Sequence, residues 1–71
     1  MAPRLLDEHE LTSKNIRPKS RAQRWRLIRL GRFPKPLKVG GRNFWIEAEI
    51  EAWEAERIAD ALAARDAQAV A

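Results

Sequence analysis

Phe33-Pro34-Lys35-Pro36-Leu37-Lys38-Val39-Gly40-Gly41-Arg42-Asn43-Phe44-Trp45 is the stretch that decides the fold of this 71-residue chain. Two prolines two positions apart fix φ and remove amide donors, so residues 33–36 run extended and form neither a helix nor a central strand. After them the apolar period becomes two. Leu37-Lys38-Val39 and Arg42-Asn43-Phe44-Trp45 flank Gly40-Gly41, which predicts a β-hairpin closed by a tight glycine turn. Phe44 and Trp45 point to opposite faces of such a strand, and Trp45 is assigned to the inside. A lone hairpin is marginal in water, so this one has to pack on helices.

Helices are predicted on both sides of it. Upstream, Ser20-Arg21-Ala22-Gln23 reads as a capping box, with the Ser20 side chain on the Gln23 amide and the Gln23 side chain reaching back. The helix it opens runs from Arg21 to Leu30 and stops at Gly31. Further upstream, Leu5, Leu6 and Leu11 straddle Asp7-Glu8-His9-Glu10, giving a first helix from near Asp7 to near Ser13 with acids in its first turn. Lys14–Lys19 forms the turn between the two helices, since Arg17 precedes Pro18 and is biased away from helix. Downstream, the helical period returns at about Glu47 and places Ile50, Trp53, Ile58, Ala61 and Leu62 roughly on one face. The alanine-rich stretch beyond Leu62 has high helix propensity and little to bury, so fraying is expected by about Ala67.

This order is that of a winged helix-turn-helix, a mainly α fold with a small β-hairpin. Residues 1–6 are read as an N-terminal extension, 7–62 as the domain and 63–71 as a helical tail. The expected core is Leu11, Leu27, Ile28, Phe33, Leu37, Val39, Trp45, Ile50 and Trp53.

Composition narrows the function. Twelve of the hydrophobic residues are alanine, which leaves 20 larger apolar side chains. A single core of that size stabilises by only ~3–5 kcal/mol and builds no deep, water-excluding cleft, so an enzyme that encloses a small-molecule substrate is not expected. With no cysteine and one histidine, the chain offers no thiolate nucleophile, disulfide or usual zinc site, and no cofactor or metal is expected. His9, between Glu8 and Glu10, reads as a solvated helix residue. No apolar run approaches the ~18 residues of a membrane span, and Met1–Glu10 is too acidic for a signal peptide. A cytoplasmic protein without a membrane partner is the expectation.

The net charge of +4 conceals a separation of signs. Residues 1–42 hold 12 basic and 3 acidic side chains, a balance of +9, while residues 43–71 hold 2 and 7, a balance of −5. Between 13 and 42 there are 11 basic residues and no acid. A one-sign block interleaved with Trp25, Phe33 and Phe44 is the electrostatic footprint of a polyanion-binding surface, and its apolar spacing argues against a disordered arm. Glu47, Glu49, Glu51, Glu54 and Glu56 fall on several sides of one helix and read as solvated surface rather than as paired catalytic carboxylates.

The major groove of duplex DNA admits an α-helix whose N-terminal residues meet the base edges. In the capped helix these are Ser20, Arg21, Ala22, Gln23 and Arg24, arginine suiting guanine and glutamine suiting adenine. Lys19, Trp25, Arg26, Arg29 and Lys35 are assigned to the DNA backbone, with Trp25 equally suited to packing. Lys38, Gly40, Gly41 and Arg42 form the wing. Its glycines allow close approach, and Arg42 suits phosphate or a narrow minor groove.

The run Phe33-Pro34-Lys35-Pro36-Leu37-Lys38-Val39-Gly40-Gly41-Arg42, with Trp45 and Glu49-Ile50-Glu51-Ala52-Trp53 after it, resembles the AlpA family of phage-type regulators. Ser20-Arg21, Arg26-Leu27-Ile28 and Gly31-Arg32 resemble that family's recognition helix and the turn after it. The likeness covers roughly Leu5 to Arg57 and implies a MerR-like winged helix that binds DNA. Arg17-Pro18-Lys19-Ser20, at its distance from Glu10-Leu11, is more similar to the lambda-type excisionases. Those proteins are recombination directionality factors, which bind repeated sites, bend DNA and steer a tyrosine recombinase towards excision. This chain departs from the AlpA pattern in three places. It has the longer Lys14–Lys19 segment where the family usually has a Thr-Gly turn, Arg24 where an aliphatic residue is common, and Trp25 where a tyrosine is common.

The resemblance implies an excisionase or, as the alternative, a transcription regulator of integrase and excision genes. An RNA-binding or protein-interaction module ranks below both. A single module covers roughly 600–1,000 Å² of protein surface on DNA. Copies of the chain are therefore expected head to tail on tandem sites, the acidic helix 47–60 of one near the basic surface of the next. If five phosphates are neutralised, the logarithm of the binding constant falls with that of salt concentration at a slope of about −4.5, which a salt titration of binding measures directly.

Overall fold

The computed structural model describes residues 2–69. Its elements are β1 (Leu5–Leu6), α1 (Glu8–Ser13), α2 (Arg21–Arg29), β2 (Leu37–Val39), β3 (Arg42–Ile46) and α3 (Glu47–Ala69). The strands form one antiparallel sheet in the order β1-β3-β2. A mainly helical chain with a small three-stranded sheet is the architecture expected of a winged helix-turn-helix.

Local chemistry accounts for the element ends. Asp7 caps α1 by accepting from the Glu10 amide at 2.7 Å, and Glu10 Oε1 accepts from the Asp7 amide at 3.2 Å. The reciprocal capping box thus lies here and not at Ser20. Ser20 Oγ accepts from the Gln23 amide at 3.4 Å, and the Gln23 side chain makes no return bond. At the other end of α2, Gly31 takes φ of 72°. The Arg32 amide donates to the Leu27 carbonyl at 2.8 Å and the Gly31 amide to that of Ile28 at 3.1 Å. These two bonds form a Schellman motif, which requires the left-handed residue that glycine supplies. Gly40 and Gly41 both have positive φ, as the two-residue hairpin turn between β2 and β3 demands.

The core consists of Leu6, Leu11, Ile16, Ile28, Phe33, Trp45 and Ile50, with Trp25, Leu27 and Trp53 packed against it. Trp45 sits at its centre. Its ring centroid is 6.2 Å from that of Trp25 and 6.4 Å from that of Phe33. The indole nitrogens hold the extended segment: Trp45 Nε1 donates to the Pro34 carbonyl at 2.9 Å, and Trp53 Nε1 to that of Arg32 at 2.8 Å. Phe44 is only partly covered, on the side opposite Trp45.

Three expectations are corrected. Leu37 and Val39 are not core residues, being 46% and 49% exposed. Leu37 pairs with Phe44 and Val39 with Arg42, so both share the outward face of the hairpin and cannot join Trp45 inside. Residues 5–6 are not an extension. They form β1 on β3, with Leu6 opposite Trp45 and fully buried. On α3, Ile50 is buried and Trp53 half-buried, but Ile58 is 60% and Leu62 42% exposed, and Ala61 is exposed too. At about 100° per residue, Ile58 and Leu62 lie roughly 130° round the helix from the side that meets the core. The helix continues past Leu62 to Ala69, and residues 70–71 of the predicted tail lie outside the described residues.

Trp45→Ala removes ~3–5 kcal/mol, about what a core this small supplies, and far-UV circular dichroism is expected to show a largely unfolded chain. Leu37→Ala costs less than about 1 kcal/mol in urea denaturation.

Candidate nucleic-acid interface

Two sides of α2 have opposite characters. Arg21, Arg24, Trp25 and Ile28, spaced i, i+3, i+4 and i+7, lie on the side turned towards α1 and the core. One carboxylate oxygen gathers three of them. Glu8 Oε1 accepts from Trp25 Nε1 at 3.1 Å, lies 3.3 Å from Arg21 Nε and 3.9 Å from Arg24 Nη1. The other side of α2 presents Ala22, Gln23, Arg26 and Arg29 to solvent, continued before the helix by exposed Lys19 and Ser20.

Arg24 is therefore not available to read bases. It is 1% exposed, and its Nη2 donates to the Pro18 carbonyl at 3.3 Å. Its Nε has no protein partner. Burial pulls the guanidinium below its ordinary pKa, and the charge of Glu8 opposes the shift. Spacing was the available signal: Arg24 lies four residues before Ile28, on the side of α2 that meets the core. Arg24 occupies that position by sending its charged end to the one carbonyl and the one carboxylate within reach.

Trp25 is half-buried, with its ring against Trp45 and its N–H on Glu8, which is the packing alternative of its two readings. Arg21 stays exposed at the first turn despite its contact with Glu8.

At the wing, Lys38, Gly40, Gly41 and Arg42 are exposed, as is Lys35 in the segment leading to it. Arg42 lies over the Phe44 ring at 5.6 Å from its centroid, and its Nη2 is 3.6 Å from Asp7 Oδ2. The N-terminus of α1 thus stands beside the wing as well as beside α2. A cleft of about 240 Å³ between them is lined by Asp7, Glu8, His9, Gly41, Arg42 and Asn43. Among the described residues there is no group of histidine and acidic side chains able to hold a metal ion, and no helix is long and apolar enough to cross a membrane.

Of the basic residues assigned to DNA, Lys19, Arg21, Arg26, Arg29, Lys35, Lys38 and Arg42 are exposed and Arg24 is not, and Asp7 and Glu8, which touch three of these arginines, were given no place beside them. The signal was present, since they are two of only three acids in the first 42 residues.

Known proteins share this part of the chain. Residues 12–58 match the family model described as prophage CP4-57 regulatory protein (AlpA), which takes in the turn, α2, the hairpin and the first half of α3. An uncharacterised protein of Enterobacteria phage P4, ORF88, is 46% identical over 41 residues, covering 56% of this chain. The matched part is 47% of that phage protein, so the chain spans about half its length. No solved structure matches.

Replacing Arg24 by methionine removes a buried charge with an unpaired Nε and keeps most of the volume. Arg24→Met is expected to leave the urea midpoint unchanged or raise it. Glu8→Ala, which strips the acceptor from Trp25 and Arg24 together, is expected to cost roughly 1–3 kcal/mol in the same assay.

Proposed function

The chain belongs to the AlpA family of prophage regulatory proteins, and on that premise we propose that it binds duplex DNA through α2 and the wing. One observation carries this reading. The basic half of the sequence supplies α2, whose outward side (Ala22, Gln23, Arg26, Arg29) is exposed, and an exposed glycine-tipped hairpin (Lys38, Gly40, Gly41, Arg42), and the α1 N-terminus touches both elements, α2 through Arg21 and the hairpin through Arg42. The major groove accepts such a helix, and the backbone beside it accepts such a wing. Gln23 is the adenine reader, Arg29 and Lys35 contact phosphate, and Lys19 and Ser20 approach the groove edge. The protein works without chemistry of its own.

Within that function, the protein acts as an excisionase that bends attachment-site DNA and directs a tyrosine recombinase to excision. The second reading, a transcription regulator of integrase or excision genes, is favoured by the regulatory description of the matched family. Both use the same surface. Copies bind tandem sites head to tail. The acids of α3 between Glu47 and Asp60, with the uncovered Ile58 and Leu62, support a contact with the basic surface of a neighbour.

An electrophoretic shift across the attachment region of the parent element tests DNA binding. Gln23→Ala is expected to lose roughly 1–3 kcal/mol of discrimination at one base pair and little elsewhere. In a reconstituted excision reaction with the cognate recombinase, product is expected only when the protein is present; excision in its absence would leave the regulator reading. Nuclease footprints are expected to lengthen in steps as protein concentration rises.

A further inference from the structure

Residues 1–42 carry three acids, and all of them lie at the start of α1. Glu10 is occupied by the capping box with Asp7. The other two hold arginines. Asp7 Oδ2 is 3.6 Å from Arg42 at the wing tip, and Glu8 Oε1 is 3.3 Å from Arg21 at the start of α2. Both arginines are largely exposed: Arg42 belongs to the wing, and Arg21 opens α2 directly after Lys19 and Ser20, which approach the groove edge. The carboxylates come from a third element standing between them, beside the cleft that Asp7, Glu8 and Arg42 line.

Carboxylate and phosphate make the same demand on a guanidinium, a pair of acceptor oxygens with negative charge. Binding to DNA of arbitrary sequence is almost wholly electrostatic. An internal carboxylate beside an arginine therefore subtracts directly from it, by offsetting the arginine's charge and by repelling the approaching backbone. A fitted sequence is held in register by base contacts from the outward face of α2, so that complex forms without drawing Arg42 and Arg21 fully off their carboxylates and loses less free energy in absolute terms. Discrimination is gained by weakening the wrong complex more than the right one.

We propose that Asp7 and Glu8 are specificity-determining residues of the DNA-binding surface, competing with phosphate for Arg42 and Arg21 and so suppressing binding to unfitted duplexes. The inference rests on the DNA-binding function proposed above. It gives a use in DNA binding to two of the three acids in the basic half, beside the capping and packing contacts that they make within the fold.

Asp7→Asn is the informative variant, because asparagine caps a helix as well as aspartate does and the fold is kept. Binding is measured by fluorescence anisotropy at low and high salt, on a scrambled duplex and on a duplex from the attachment region. Affinity of Asp7→Asn for the scrambled duplex is expected to rise about threefold at low salt, within the range of an exposed ion pair, and the gain to shrink at high salt. Affinity for the attachment-region duplex rises less, so the ratio between the two falls. In an Arg42→Ala background the gain disappears, as a double-mutant cycle requires of a coupled pair. Glu8→Gln is expected to behave likewise through Arg21, with a thermal melt reading its separate effect on Arg24.

An Asp7→Asn variant that binds the scrambled duplex no better than the parent protein overturns the proposal. So does a gain that persists without Arg42, since that would be a general effect of net charge. Failure of the unaltered protein to bind either duplex overturns the DNA-binding function itself, an outcome distinct from the other two.

Discussion

The burial of Trp45 is the constraint on which the rest of the molecule depends. Its indole is enclosed completely, between Trp25 of α2 and Phe33 of the extended segment, with Leu6 of β1 beside it in the sheet. Its one polar atom is satisfied by the Pro34 carbonyl. A domain with 20 large apolar residues has few ways to gather a core. Here a single side chain touches a helix, a strand and the proline-bearing connection at once. With Trp45 inward, strand alternation turns Phe44, and with it Leu37 and Val39, outward. The wing is consequently held at one end by the core and left free at its glycine tip.

The second consequence is the facing of α2. Ile28 and Trp25 go to the core side, so the residues half a turn away go to solvent, and the helix arrives at the surface with Gln23 and Arg26 outward. Arg24 falls on the inner side, where a charge is costly to place. The cost is lowered by the Pro18 carbonyl and by Glu8, which also takes the Trp25 N–H and lies beside Arg21. One acidic side chain of α1 thereby fixes the orientation of the helix next to it. That same element, through Asp7, reaches the wing, so the two basic surfaces are braced from a common acidic point.

Much of this was legible residue by residue. The prolines at 34 and 36 and the glycines at 40 and 41 act through φ and missing donors, which are properties of the chain itself, and the hairpin appears where they place it. Gly31 ends α2 for the same reason. The capping box was assigned to the wrong helix because Ser20 and Asp7 both offer a short acceptor side chain followed three residues later by Gln or Glu. Which of them completes the second bond depends on the rotamer of that later residue. Leu6 and Ile16 were left out of the expected core because neither belongs to a long periodic segment, and Leu6 is buried by its pairing with a strand distant in sequence.

By itself, then, the sequence determined the order of elements, the position of the turn glycines, the inward tryptophan and the separation of positive from negative charge. All of these follow from backbone stereochemistry, period and ionisation, which act locally. Only the tertiary structure decided which arginines are surface and which is core, that residues 5–6 complete the sheet, and that the far half of α3 stands uncovered. It also brought Asp7 and Glu8 to Arg42 and Arg21, residues 35 and 13 positions away in the chain. Those outcomes depend on how α1 docks against α2 and β3, a competition among non-local contacts for a small amount of apolar surface that periodicity along one strand of text does not resolve.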